Sequence, residues 1–150
     1  MFKHILIPTD GSKLSKEAAE AGVKLAQTLG ARVSGFFAAP APTPIIYKAR
    51  LPVGYATLEE HRKMIEKTSA GFLAVIEKAA RAADVPCEVI SVTSDFPADA
   101  ILAAAKKRRC DLIFIASNGR RGLRGVLLGS ETQKVLAHSP VPVLVYRRRS

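Results

Sequence analysis

The period of apolar and polar positions changes repeatedly along this chain, and each change marks an element. Residues 3–9 carry Ile5, Leu6 and Ile7 in a row and stop at Pro8 and the turn Asp10-Gly11-Ser12, the pattern of a buried strand. From 14 to 29, Ala18, Ala19, Gly22, Val23, Ala26 and Leu29 recur at helical spacing, and Gly30 ends the run. Residues 31–39 read as a second strand. Pro40, Pro42, Pro44, Pro52 and Gly54 exclude a regular element over 40–56, so a long loop is expected there, of the kind that belongs to a site or an interface. The longest helix is predicted over 57–83, where Leu58, Ile65, Phe72 and Ala79 repeat every seventh residue and Val75 and Ile76 widen the stripe. Such a stripe on one helix reads as core packing rather than a coiled coil. A third strand follows at 87–93. Asp95 is placed to cap the next helix, with Pro97 in its first turn and Ala100, Ile101, Ala104 and Ala105 facing inward. Residues 111–117 read as the fourth strand, continuously apolar from Leu112 to Ala116 as an interior parallel strand is. A short helix at 130–138 and a fifth strand at 141–146 complete the alternation.

Strands separated by helices require crossover connections, and those connections are right-handed, so the expectation is a parallel sheet covered on both faces. The fold class is α/β: a doubly wound five-stranded sheet of order 3-2-1-4-5, formed by one domain over residues 1–150. Ligands in such folds sit beyond the carboxyl ends of the strands where the strand order reverses, here between the first and fourth strands. The segments leaving those strands are Thr9-Asp10-Gly11-Ser12 and Ser117-Asn118-Gly119-Arg120.

Composition narrows this picture in three ways. With 150 residues, 48% hydrophobic and 24% charged, the chain has the size and balance of one soluble domain. No apolar run approaches the roughly 20 residues that span a bilayer, and the chain starts directly in a strand pattern, so a cytoplasmic protein without membrane contact is expected. The net charge of +10 raises the question of nucleic acid, but the basic residues are interleaved with Glu, as in Arg62, Lys63, Glu66 and Lys67, and no zinc-finger, RRM or KH signature accompanies them. A solvated basic surface is expected, with no specific nucleic-acid partner. Cys87 and Cys110 lack metal or redox spacing and read as buried, reduced thiols. His4, His61 and His138 fall on separate elements, and no metal site is expected.

The candidate chemistry lies in residues 116–130, which run from a strand into a helix through Gly119, Gly122, Gly125 and Gly129. Glycines let backbone amides approach a phosphate, and a helix N-terminus adds unpaired N–H groups and a positive dipole end. The stretch is neither a Walker A sequence nor GxGxxG, and a plain turn joining two elements is the other reading. Ser130 can donate to a phosphate or cap the helix. Arg120, Arg121 and Arg124 can screen phosphates or stay solvated. Asp10 stands at the switch point, either as a ligand-facing carboxylate or as a turn residue.

The whole pattern resembles the universal stress protein family. The opening Ile5-Leu6-Ile7-Pro8-Thr9-Asp10-Gly11-Ser12, the 111–116 strand, the Gly119-x9-Gly129-Ser130 spacing and the closing 140–145 segment carry the resemblance. Nucleotide-binding members carry G-x2-G-x9-G-S/T; here Ala116 stands in the place of the first glycine, while Gly119, Gly129 and Ser130 fit. The resemblance implies an adenine nucleotide alpha hydrolase-like fold and a stress-response module binding ATP, with Mg2+, and hydrolysing it slowly at most. It further implies that Asp10 faces the adenine or ribose, that Ala38 offers backbone to the adenine, and that the fifth strand pairs in a homodimer. The implied binding set is Pro8, Thr9, Asp10, Ala38, Ala116, Ser117, Asn118, Gly119, Arg120, Gly122, Gly129, Ser130, Glu131 and Thr132. No catalytic residues are expected, since neither a Walker lysine nor a catalytic-loop Asp-Asn pair is present. The alternative is a dimeric interaction protein of the same fold in which Ala116 marks a lost site.

Overall fold

The computed structural model describes residues 1–42, 57–119 and 128–148. In chain order the elements are β1 (His4–Pro8), α1 (Lys13–Leu29), β2 (Arg32–Ala39), α2 (Leu58–Ala82), β3 (Cys87–Thr93), α3 (Pro97–Lys107), β4 (Leu112–Ala116), α4 (Ser130–His138) and β5 (Val143–Tyr146). The strands form one all-parallel sheet of order β3-β2-β1-β4-β5, the expected doubly wound arrangement. Among the described residues, no helix is long and apolar enough to cross a membrane.

The pleat of the central strands separates two cores. Ile5 and Ile7 of β1, Val33 of β2 and Leu112 and Phe114 of β4 meet the buried residues of α1 and α2. Leu6, Phe36, Ile113 and Ile115 point to the other face and meet Ala98, Ile101, Ala104 and Ala105 of α3 and Val135 of α4. α1 lies close to the sheet because Gly22 leaves no side chain there; a methyl group at that position would stand 2.8 Å from Cδ1 of Ile7. The helix starts at Ser12, whose Oγ accepts from the N–H of Ser15, and ends at Gly30 in the left-handed conformation, φ +67°.

α2 opens with a reciprocal capping box between Thr57 and Glu60. Its buried row is Ser69, Leu73, Ile76 and Ala80, so the predicted heptad row lies beside the buried stripe. Ile65, Phe72 and Ala79 are partly buried, and Leu58 is exposed. A seven-residue repeat drifts around a helix of 3.6 residues per turn, which is how the row moves off the core.

Several boundaries depart from expectation. Leu29 is exposed at the end of α1. Asp111 precedes β4 rather than joining it, and its carboxylate accepts from the N–H groups of Lys3 and His4 at 2.9 and 3.0 Å, clamping the start of β1. β5 begins at Val143, two residues after the predicted start. Asp95 does not cap α3: the capping position is Phe96, without a side-chain bond, and Asp95 instead accepts from the N–H of Ala41. Cys110 is buried as expected, and burial pushes its thiol up to about 11, whereas Cys87 is only half-buried. The predicted 40–56 loop falls almost wholly outside the described residues.

His4 is buried at the start of β1, where its Nε2 lies 2.7 Å from Oγ of Ser34, which in turn donates to Glu88. Burial, with Arg32 as a secondary cause, lowers its pKa below the usual 6.5. A histidine that binds its proton more weakly when folded stabilises the fold above its unfolded pKa and loses that contribution as pH falls below about 6.5. The denaturation midpoint should therefore rise between pH 5 and 7.5, and His4→Gln should flatten that rise; an unchanged slope would remove His4 as its source.

Candidate functional site

Where β1 and β4 end side by side, the chain leaves β1 toward one face of the sheet and β4 toward the other. A cavity of about 400 Å³ opens between the departing segments, a size suited to a small molecule. Its apolar walls are Pro8, Phe36, Phe37, Ala38, Ile101 and Ile115, and its polar groups come from Thr9, Asp10, Asn118, Ser130, Glu131 and Thr132.

The turn after β1 is fixed by its own side chains. Thr9 Oγ1 accepts from the N–H of Gly11 at 3.1 Å and lies 3.1 Å from Ser15 Oγ, and Asp10 Oδ1 accepts from the N–H of Ser12 at 2.9 Å. Asp10 thus makes the Asx turn that leads into α1. Its other oxygen reaches across to the β4 side, where a methyl group on Gly119 would stand 2.5 Å from Oδ2. The missing side chain at Gly119 therefore makes room for the Asp10 carboxylate. Gly11 is constrained twice: φ is +79°, and a methyl group there would run into the ring of Phe72 of α2. That ring packs edge-on against Phe37 at 5.2 Å, so α2 supports the turn and the cavity wall together.

On the β4 side, Ala116 is extended, paired with Tyr146 of β5, and its carbonyl accepts from Thr132 Oγ1 at 2.8 Å. The missing motif glycine therefore serves no left-handed conformation; what Ala116 changes is a methyl group on the cavity lining. Ser117, of the predicted set, is buried and does not line the cavity; its carbonyl accepts from the N–H of Gly129 at 2.7 Å, closing the loop base. Among the described residues, Asn118 Oδ1 is buried without a hydrogen-bond partner, 3.6 Å from where a Gly129 methyl would lie. An unpaired buried acceptor beside a cavity is a group a ligand donor can satisfy. The N-terminus of α4 opens here: Gly129 is its capping residue with no side-chain bond, so Ser130 does not cap the helix.

Glu131 has a role that sequence reasoning missed. Its Oε2 accepts from the N–H of Ala98 at 2.9 Å, capping α3 from the first turn of α4. Of the predicted set, Pro8, Thr9, Asp10, Ala38, Ala116, Asn118, Gly119, Gly129, Ser130, Glu131 and Thr132 line the cavity. Arg120 and Gly122, with Arg121, Arg124 and Gly125, lie outside the described residues. Ser15, Phe36, Phe37, Pro97, Ile101 and Ile115 also line it and were not anticipated; Phe36, Phe37 and Ile115 fall inside predicted strands and Ile101 on the inward face of a predicted helix. A second hollow of about 600 Å³ lies between α2 and β3, near Arg62, Glu66 and Glu77. It is larger, but it lies along the edge strand β3, away from the reversal of strand order, and no helix begins in it.

These features define a doubly wound α/β protein with its crevice at the switch point. A profile of the universal stress protein family matches residues 1–147, and the chain belongs to that family. It is 34% identical over 147 residues to a universal stress protein of Thermus aquaticus, covering 98% of this chain and 100% of that one. The solved structure of MJ0577, a universal stress protein of Methanocaldococcus jannaschii, superimposes with a TM-score of 0.80 at 23% identity, covering 100% of this chain and 99% of that one. A universal stress protein solved in complex with cAMP superimposes with a TM-score of 0.71 at 23% identity, covering 99% of each chain.

Gly11→Ala should destabilise the fold by about 2–4 kcal/mol, combining left-handed strain with overpacking against Phe72. Urea unfolding measures this, and a cost below about 0.5 kcal/mol would show that the turn is not locked as described.

Proposed function

We propose that the protein is a stress-response regulatory module that holds an adenine nucleotide, ATP with Mg2+, in the cavity between β1 and β4, and that its loaded state, rather than turnover, is its output. The cavity carries this reading: an apolar cleft with an open helix N-terminus and an unsatisfied acceptor lies at the reversal of strand order. The adenine lies against the apolar wall near Ala38, the ribose faces Asp10 and Asn118, and the phosphates approach the first-turn amides of α4 from Ser130 onward, the Gly129 N–H being held by the Ser117 carbonyl. The cAMP complex of a protein with the same fold supports the ligand class. Magnesium travels on the phosphates: among the described residues there is no cluster of His, Cys, Asp and Glu able to hold a metal.

The module works as one domain in the cytoplasm and pairs as a homodimer through β5, which is an edge strand of the sheet. Val143 and Val145 pack partly into the α3 and α4 core, whereas Leu144 is exposed on the other face. Leu144→Lys is thus the cleaner probe and should shift sedimentation toward monomer; a wild-type protein that is already monomeric at micromolar concentration would overturn the dimer.

Calorimetry tests the ligand. ATP should bind, Gly129→Val and Ser130→Ala should weaken it, and Ala116→Gly should strengthen it by roughly fivefold, the effect of removing about 1 kcal/mol of crowding. No heat from the wild type and none gained by Ala116→Gly would favour the second reading, a nucleotide-free interaction protein in which the Ala116 methyl closes the site.

A further inference from the structure

We infer that Phe72, which does not line the cavity, is a positioning residue for it: its ring holds the Asp10 turn and the Phe37 wall in the arrangement a ligand needs, so that α2 sets the affinity of a site it does not reach. This rests on the adenine-nucleotide reading of the cavity.

Thr9 and Asp10 reach the cavity from a turn whose hydrogen bonds are all local. Thr9 Oγ1 accepts from Gly11, Asp10 Oδ1 from Ser12, and Ser12 Oγ from Ser15. Residues 9–12 are each partly exposed, so water competes for every one of these bonds. The turn also depends on a left-handed Gly11, φ +79°, a conformation that glycine leaves as readily as it enters. Local chemistry shapes this turn but does not lock it.

Phe72 supplies the lock from a distant part of the chain. A methyl group at Gly11 would overlap Cε1, Cζ and Cε2 of the ring, so the outer edge of the ring already rests against the Gly11 backbone. The same ring meets Phe37 edge-on, with centroids 5.2 Å apart and planes at 85°. One side chain therefore braces both the turn after β1 and the wall from β2. The helix cannot back away, because Ser69, Leu73, Ile76 and Ala80 of α2 are buried, and Ile76 fills the space that Gly35 of β2 leaves open. A site ordered before its ligand arrives loses less freedom on binding, so withdrawing the ring should lower affinity although no ligand contact is removed.

Phe72→Leu stays apolar and withdraws the ring edge. AMP binding is measured by calorimetry, and hydrogen exchange at Gly11 and Ser12 is measured without ligand. Phe72→Leu should weaken AMP roughly tenfold, the effect of ordering about one further backbone residue on binding, and should speed exchange at Gly11 and Ser12 more than at residues 18–26 of α1. Phe72→Met serves if that variant does not fold. Leu73→Ala is the control, since it empties a more deeply buried position of the same helix. It should lower resistance to urea yet leave AMP within about twofold, and Ile76→Val replaces it if it does not fold. AMP affinity or turn exchange unchanged in the folded Phe72 variant, or an equal loss of affinity in the control, overturns the positioning role and leaves the nucleotide reading intact. A wild type that gives no heat with AMP overturns that reading, and this inference with it.

Discussion

The handedness of parallel crossovers is the constraint on which this structure depends. Each strand-helix-strand connection must turn the same way, so the direction in which the chain moves across the sheet decides which face its helices cover. From β1 the chain moves outward to β2 and β3, and α1 and α2 fall on one face; it then returns past β1 to β4 and β5, and α3 and α4 fall on the other. At the β1–β4 boundary, in the middle of the sheet, adjacent strands send their chains to opposite faces, β1 into α1 on one and β4 toward α4 on the other. The departing segments diverge there, and the cavity is the gap between them.

An opening created by topology still needs defined walls, and short-range chemistry provides them. The Thr9–Ser15 turn satisfies its backbone from its own hydroxyls and carboxylate. Gly11 admits Phe72 and Gly119 admits Asp10, so two small residues let large or charged neighbours reach the cavity rim from either side. Thr132 ties α4 to the end of β4, and Glu131 ties α4 to the start of α3. The α4 amides are thereby held at the cavity by bonds to two separate elements. A binding site that is already ordered loses less entropy when a ligand enters.

The fold was legible because each element carries its own local period. Continuous apolar runs marked β1 and β4, and the helical stripes of α1 and α2 lay within single stretches of sequence. The site was legible where a residue type has few other uses, as with Gly119, Gly129 and the Asp10 turn. It was illegible where the partner is distant in sequence. Glu131 caps a helix 33 residues away, whereas the sequence next to that helix offers Asp95 as a local cap. Asp111 looked like the first residue of a strand because its bonds run to Lys3 and His4 at the far end of the chain. Phe36, Ile101 and Ile115 read as core, and they are core; the cavity simply borrows its apolar wall from the same packing that holds α3 to the sheet. Ala116 needed the structure, because only its extended conformation and pairing with Tyr146 show that the lost glycine costs a contact and not a backbone state.

The central claim is that the proposed adenine nucleotide enters at the β1–β4 boundary rather than in the larger hollow beside β3. Amide chemical shifts of 15N-labelled protein titrated with AMP measure this most directly. The account predicts saturable shifts at residues 9–12, at Ala38 and Ala39, at residues 117–119 and at residues 129–132, with residues 65–77 and the amides of β3 unmoved. Shifts confined to α2 and β3, or a spectrum unchanged at millimolar AMP, would contradict it.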